Sequence, residues 1–295
     1  MSDTALPHAH HAPEPILDAG QRRNILIAMC LGLMAVIASV SGLNVAQTQL
    51  ALDLDLSQST ILWIINAYTL ALAALLMPIG AIGDRYGRRP VLLTGLILFF
   101  LATLGAAFAQ SGAAMIAARA LAGVGAAMIM PVTLSVITSS FPEEDRGRAI
   151  GIWAGVAGSG GIVGLLVSAF MVDIFTWRWL YILPVVLVIA AFAIAFKSVP
   201  NSREESDSPF DIIGSVTSFL EIGGLVLGIH EGPERGWSDS LTLLGLVVGI
   251  VSLIGFIIWE LRTEAPLLDV RTFSNRYLAT GSVTLMLLFG VLFGI

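Results

Sequence analysis

The 295-residue sequence combines 56% hydrophobic residues with 12% charged ones, and its mean hydropathy is +0.88. Soluble domains carry about 25% charged residues, so this composition excludes an ordinary water-soluble fold. The formal net charge of -6 argues against a nucleic-acid partner, and the single cysteine, Cys30, excludes a disulfide framework within one chain.

The N-terminal residues 1–23 are predicted to be a disordered cytoplasmic tail. They contain several prolines and lack the basic start and short apolar core of a signal peptide. His8, His10 and His11 lie within four positions of one another. A metal site would need further ligands, and none lies nearby in the sequence, so we assign no metal site there.

Nine apolar stretches follow, separated by short clusters of charged residues. A helix of about 20 residues crosses the ~30 Å hydrocarbon layer of a membrane, and each stretch approaches or exceeds that length. The pattern predicts an all-α membrane protein with about nine spans, near residues 24–50, 58–82, 90–109, 113–139, 149–172, 179–196, 211–229, 240–259 and 277–295.

The basic residues predict which side of the membrane each loop faces. If the N-terminus is cytoplasmic, Arg178 and Arg235 lie outside, Arg119 lies within a span, and the other 12 of the 15 Lys and Arg residues lie inside. This asymmetry follows the positive-inside rule. We therefore expect a multi-pass protein of the inner (plasma) membrane, with the lipid bilayer as its first partner.

The last apolar stretch ends at Gly294 and Ile295 without a basic or aromatic anchor after it. Helix ends normally carry such interfacial anchors. We expect a truncated chain, with an authentic end at this position as the alternative.

The loop between the second and third spans reads GAIGDRYGRR over residues 80–89. Glycines there permit close helix approach and a tight turn, and the charges can hold two helix bundles in one state. The loop resembles the signature of the major facilitator superfamily, a family of secondary transporters. The resemblance implies a conformational latch formed by Gly80, Asp84, Arg85, Gly87, Arg88 and Arg89. A solvated basic turn that serves topology alone is the alternative.

Arg119 begins a segment that resembles the fourth helix and following loop of the same superfamily. A charged residue at mid-membrane costs roughly 2.5–3.5 kcal/mol on insertion scales, so it should face a polar cavity or a partner. The resemblance implies a role for Arg119 in proton coupling. Alternatively, its side chain reaches the outer interface, about two turns away.

The fifth span carries two glycine pairs with a spacing of four residues, which create a face for close helix packing. They resemble the glycine-rich antiporter motif of the family. Two departures stand out: Leu165 replaces the usual proline, and Ser168 with Ala169 replaces a Gly-Gly pair. The motif comprises Gly151, Gly155, Gly160 and Gly164.

The region after residue 209 resembles the fourteen-helix drug:proton antiporters, the EmrB/QacA type. The match rests on Asp211, Gly214, Gly236, Trp237, Trp259, Glu260, Pro266, Leu267 and Phe273. It implies a six-helix bundle over residues 24–197, a cytoplasmic linker over 198–209, two additional helices over 210–260, and a loop with the first helix of an incomplete second half over 261–295.

The first span departs from this pattern at the position of an acidic residue. Asn44, Val45 and Ala46 match, but Ser39 stands where many of these antiporters carry the acid, and a serine does not titrate near neutral pH. The only carboxylate deep within a span is Glu221. We name Glu221 as a second proton-coupling candidate, with a position outside the transport core as the alternative.

Polar, aromatic and methionine side chains on the cavity-forming helices suit adaptable binding of apolar drugs. For each one, helix packing is the alternative role. The candidates are Asn44, Gln47, Trp63, Asn66, Tyr68, Met128 and Met130.

The resemblance implies proton-coupled efflux of hydrophobic or cationic small molecules by alternating access, with the proton gradient as energy source and no cofactor. A C-terminal half would be required for function. The alternative is a truncated, non-transporting membrane protein that acts as an interaction partner. No metal motif or nucleophile and base pair points to an enzyme.

Overall fold

The computed structural model describes residues 17–203 and 210–294. All regular structure in these ranges is helical, which confirms the all-α membrane fold. Two 3-10 helices cover Trp177–Tyr181 and Val270–Ser274. The α-helices are α1 (Ala19–Asp53), α2 (Gln58–Tyr86), α3 (Arg88–Ala107), α4 (Gly112–Ser140), α5 (Glu143–Ile174), α6 (Ile182–Ser198), α7 (Ile212–Arg235), α8 (Ser240–Glu260) and α9 (Arg276–Gly294).

Helices α1 to α8 are long and apolar enough to cross a membrane, α6 together with the 3-10 helix before it. Helix α9 occupies the position of the ninth predicted span. The order and approximate limits of the nine apolar stretches therefore agree with helices α1 to α9, and the first eight of these qualify as membrane spans.

Two helices begin earlier than the apolar pattern predicts. The Asp18 side chain accepts the backbone N–H of Gln21 at 2.6 Å and caps α1, which starts at Ala19. The predicted boundary of the disordered tail at residue 23 is therefore wrong; residues 1–16 lie outside the described part. Helix α5 starts at Glu143 because three acidic residues in its first turn suit the positive end of the helix dipole.

Helix α4 lies between α2 and α3 and packs closely against both. A Cβ atom on Gly125 would lie 2.7 Å from the backbone nitrogen of Phe99, and one on Gly95 would lie 2.5 Å from the Met128 side chain. A Cβ on Gly123 would overlap the carbonyl oxygen of Tyr68. Small residues thus let the backbones of three helices approach each other around the region that contains Arg119.

Helices α7 and α8 form a tight hairpin, and α7 also packs on α2. A Cβ on Gly224 would lie 2.7 Å from the nitrogen of Gly249, and one on Gly245 would lie 2.8 Å from the nitrogen of Gly228. Helices α7 and α8 are therefore joined through glycines, and α7 also contacts α2.

Candidate functional site

The side chain of Arg119 lies in the interior of the bundle, seven residues after α4 begins. It is 1% exposed. Its Nη1 donates to Ser39 Oγ of α1 at 2.9 Å, and its Nε donates to the Ile64 carbonyl of α2 at 3.4 Å. The alternative placement of this side chain at the outer interface is wrong, because the guanidinium points into the contact between α1, α2 and α4.

Tyr68 of α2 supports the buried guanidinium from one side. The Arg119 Cζ atom lies 4.2 Å from the centre of the Tyr68 ring, a cation–π distance. The Tyr68 hydroxyl donates to the Val36 carbonyl of α1 at 3.0 Å, and its ring meets Phe99 edge to face. Tyr68 is fully buried, so this predicted cavity residue acts here as packing for Arg119.

Within residues 17–203 and 210–294, Arg119 forms no ion pair with a carboxylate. Buried charges are normally paired, so a guanidinium held by a hydroxyl, a carbonyl and an aromatic ring is unusual. Ser39, the position at which the family resemblance implies an acid, supplies a neutral hydroxyl to the guanidinium instead.

Glu221 lies on α7 and is half-buried. It makes no hydrogen bond or ion pair with any residue in the described part of the chain. The structure therefore does not bring the two proton-coupling candidates together as an ion pair.

His230 near the C-terminal end of α7 contacts two of the predicted cavity residues. Its Nδ1 lies 2.8 Å from Asn66 Nδ2, and its ring meets Trp63 edge to face at 5.0 Å. Next to it, Glu231 is 2% exposed and binds Arg235 one turn further along α7. The sequence analysis did not predict this group of side chains. The feature that could have pointed to it is that His230 is the one histidine of the sequence outside the N-terminal tail.

One turn of α2 therefore connects two polar sites. Ile64 and Tyr68 face Arg119, whereas Trp63 and Asn66 face His230. A rotation or shift of this turn would change both sets of contacts together.

The other predicted cavity residues are spread over different environments. Asn44 is exposed, and its side-chain oxygen accepts from Gln47 Nε2 at 3.4 Å. Met128 packs against Gly95 of α3, and Met130 packs beside the cluster of Leu33, Ile37 and Ala157. Met128 thus contributes to helix packing, whereas Asn44 and Gln47 lie on the open side of α1.

The latch loop is ordered by contacts to the end of α6 and the residues after it. Gly87 has φ +117°, a conformation that favours glycine, and Arg88 N donates to the Ser202 carbonyl at 2.9 Å. Arg88 Nε donates to Asp84 Oδ1 at 2.7 Å, and Arg89 Nη2 donates to the Phe196 carbonyl at 2.7 Å.

The glycines before this loop lie against α4. A Cβ on Gly83 would lie 2.9 Å from Val132, and one on Gly80 would lie 3.4 Å from Pro131. Arg85 lines a cavity of about 430 Å³ together with Asp84. Every residue of the predicted latch therefore belongs to one connected region at this end of the bundle.

The antiporter-like motif on α5 divides into two halves. A Cβ on Gly164 would lie 2.7 Å from Ala38 Cα, and Gly160 lies near Ile37 of α1. Gly151 and Gly155 have no described atom within 4 Å of where a Cβ would be. Only the second glycine pair packs against a helix in the described structure.

A family model of the Major Facilitator Superfamily matches residues 29–295. The methyl viologen resistance protein SmvA of Salmonella typhimurium is 34% identical over 265 residues, 88% of this chain and 53% of that protein. The multidrug efflux pump LfrA of Mycolicibacterium smegmatis is 34% identical over 249 residues, 84% of this chain and 49% of that protein. The chain thus spans about half the length of the curated relatives it matches.

Solved structures show the same fold at low sequence identity. A peptide transporter POT in complex with sulfate has a TM-score of 0.60 and 14% identity, and the match covers 82% of this chain and 53% of that one. A bacterial homologue of the human lysosomal transporter Spinster has a TM-score of 0.51 and 16% identity over 83% of this chain and 64% of that one. These likenesses concern the helical architecture.

Proposed function

The chain belongs to the major facilitator superfamily, and from that membership we propose that it is the N-terminal portion of a proton-coupled exporter of hydrophobic or cationic small molecules. Relatives named for methyl viologen resistance and multidrug efflux support export as the direction. They favour a transporter over a non-transporting interaction partner. The family points to transport rather than catalysis.

The buried, carboxylate-free guanidinium of Arg119 carries the mechanistic part of the proposal. A charge inside a membrane bundle is retained at a cost, so it needs a task that a neutral residue cannot perform. Arg119 is held by neutral groups on α1 and α2, which it can exchange for an anionic partner when the helices move. Alternating access supplies that movement.

In this proposal a proton controls when the exchange occurs. A carboxylate that approaches Arg119 is stabilised in its ionised form, and it can be protonated after it leaves. The acid would come from Glu221 or from the C-terminal half, which is the main protein partner that we propose. The proton gradient is then the energy source, without a cofactor.

The finer family type that we propose is the fourteen-helix drug:proton antiporter. Support comes from α7 and α8, which form a separate hairpin between the first six helices and α9. The 12 basic residues assigned to one side support a cytoplasmic N-terminus in the inner membrane.

The test uses liposomes that contain the complete protein. We expect an imposed pH gradient to drive methyl viologen transport and methyl viologen to cause a measurable proton movement. Arg119→Ala should abolish both while the protein still inserts. Transport at the wild-type rate in Arg119→Ala would contradict the proposed mechanism.

A separate substitution identifies the acid. If Glu221 is the proton carrier, Glu221→Gln alters the pH dependence of transport. An unchanged pH profile assigns the carrier to the remainder of the protein.

A further inference from the structure

Two carboxylates meet where the α7–α8 hairpin is open, at the start of α7 and the end of α8. Asp211 caps α7: its Oδ1 accepts from Gly214 N at 2.7 Å and from Trp259 Nε1 at 2.9 Å. Glu260, the last residue of α8, is 1% exposed, and its Oε2 accepts from Leu268 N at 3.1 Å. Each carboxylate thus has one oxygen with a hydrogen-bond donor.

The second oxygen of each carboxylate is buried and has no hydrogen-bond donor among the described residues. These two atoms, Asp211 Oδ2 and Glu260 Oε1, each lie 2.5 Å from the position that a Cβ on Gly214 would take. They are therefore within about 5 Å of each other. Two acceptors face one another across the space that this glycine leaves free.

Two ionised carboxylates are unstable in this arrangement, because like charges at short range repel and buried acceptors need a donor. A single proton resolves both problems: it removes one charge and supplies the missing donor. No group of three or more His, Cys, Asp or Glu residues in the described part of the chain suits a metal ion. The donor set therefore fits a proton better than a metal.

Other charged groups surround the pair. Asp84 and Arg85 of α2 line the same cavity of about 430 Å³ as Asp211. On the loop after α8, Arg262 and Glu264 line the neighbouring cavity, and Arg271 donates to the Leu261 carbonyl at 2.6 Å. None of these side chains donates a hydrogen bond to the two facing oxygens.

We propose that Asp211 and Glu260 hold one proton between them, with the protonated carboxyl donating to the free oxygen of the other. This proton-binding site joins the two ends of the hairpin and anchors the loop after α8 through Leu268. Loss of the proton leaves two adjacent negative charges, and their repulsion pushes Glu260, together with the Leu268 N–H bound to it, away from Asp211. The loop over residues 261–269 then moves away from α7, beside the predicted latch residues Asp84 and Arg85.

The first experiment measures the infrared spectrum of the purified chain in lipid nanodiscs at neutral pH. A protonated carboxylic acid has a carbonyl stretch separate from the bands of ionised carboxylates. We expect this band in the wild type and a lower band intensity in both Asp211→Asn and Glu260→Gln, because the introduced amide supplies the donor and the remaining carboxylate ionises. A protonated Glu221 would contribute equally to all three spectra. Glu264→Gln, an exposed acid in the same loop, is the matched control and should retain the wild-type intensity of the band.

An identical spectrum in the wild type and both variants would overturn the proposal, as would loss of the band when Mg²⁺ or Ca²⁺ is added. The measurement needs no substrate and no proton gradient. A failure of the proposed export function would therefore leave this result unaffected, and the reverse also holds.

The second experiment measures the fluorescence of Trp259, whose indole donates a hydrogen bond to Asp211 and therefore responds to changes in the pair. Comparison of the wild type with Trp259→Phe isolates the Trp259 fluorescence. We expect this component to change with pH when the pair is intact and to be constant with pH in Glu260→Gln. A pH response that survives Glu260→Gln would show that the pair does not share a proton.

Discussion

Arg119 and Arg88 occupy opposite kinds of environment. Arg119 is 1% exposed and contacts neutral groups on two other helices, whereas Arg88 is partly exposed and pairs with Asp84 one turn before it. A partly exposed pair of this kind contributes about 0–1 kcal/mol and gives little energetic information. A buried charge without an ionic partner destabilises the fold, so the comparison supports the proposed role of Arg119 in transport rather than a role in stability.

Arg119→Met is expected to have the largest effect and to separate stability from transport. Replacement of an unpaired buried charge by an apolar side chain of similar volume removes its desolvation penalty, which amounts to several kcal/mol per ion. We therefore expect a higher unfolding temperature together with abolished pH-driven export. Thermal unfolding in detergent and transport in proteoliposomes measure the two effects.

Arg88→Met is the matched control for that substitution, because it removes an arginine that already has a carboxylate partner. Its unfolding temperature should not rise. A lower unfolding temperature in Arg119→Met would show that the guanidinium contributes net stability, and the contrast between the two sites would fail.

Asp84→Asn tests the second site of the comparison, the ion pair between Arg88 and Asp84. It removes the charge that accepts from Arg88 Nε at 2.7 Å. Stability should change by less than about 1 kcal/mol, because the pair is partly exposed. Export should fall about tenfold, within the usual range of coupling between conformational states.

Asp145→Asn controls for the loss of one acidic charge near the same membrane face, since Asp145 is an exposed residue of the first turn of α5. It should export like the wild type. Equal export by Asp84→Asn and Asp145→Asn would show that the loop is not a conformational latch and that its basic residues serve membrane topology alone.

Ser39→Ala should have a smaller effect, because Arg119 keeps its contacts with Tyr68 and the Ile64 carbonyl. Loss of one hydrogen bond worth ~1 kcal/mol corresponds to about fivefold slower export. The control is Ser41→Ala: this nearby buried hydroxyl donates to the Ile37 carbonyl within α1 and does not contact Arg119. Similar export by both variants would show that the Ser39 contact is incidental.

The apolar stretches predict the order of the helices well. Each segment in lipid must form its own backbone hydrogen bonds, so this requirement acts on every segment separately. Helix ends were less accurate: Asp18 and Glu143 extend α1 and α5 through capping and dipole effects that hydropathy ignores. Arg119 was recognisable because a charge within an apolar run is conspicuous.

Pairings between distant segments were not predictable in the same way. The contact of Asn66 with His230 spans 164 positions, and that of Asp211 with Trp259 spans 48. Both depend on how α7 packs against α2 and α8, and the approach of α7 to α8 depends on shape complementarity at glycines rather than on periodicity. A single sequence contains the glycines but not the faces that they bring together.

Gly164→Ala should have the smallest effect on export. It acts on the Arg119 site indirectly, through the packing of α5 against α1. The added methyl group would press on Ala38, the neighbour of Ser39, since a Cβ there would lie 2.7 Å from Ala38 Cα. Overpacking of this kind costs about 1–3 kcal/mol.

Gly155→Ala is the matched control, because a Cβ there meets no described atom within 4 Å. Alanine in place of glycine in a helix interior stabilises a protein by about 0.5–1 kcal/mol. The unfolding temperature should therefore fall in Gly164→Ala and rise in Gly155→Ala. Shifts of the same sign would show that α1 and α5 separate easily and that their contact does not hold Ser39 in place.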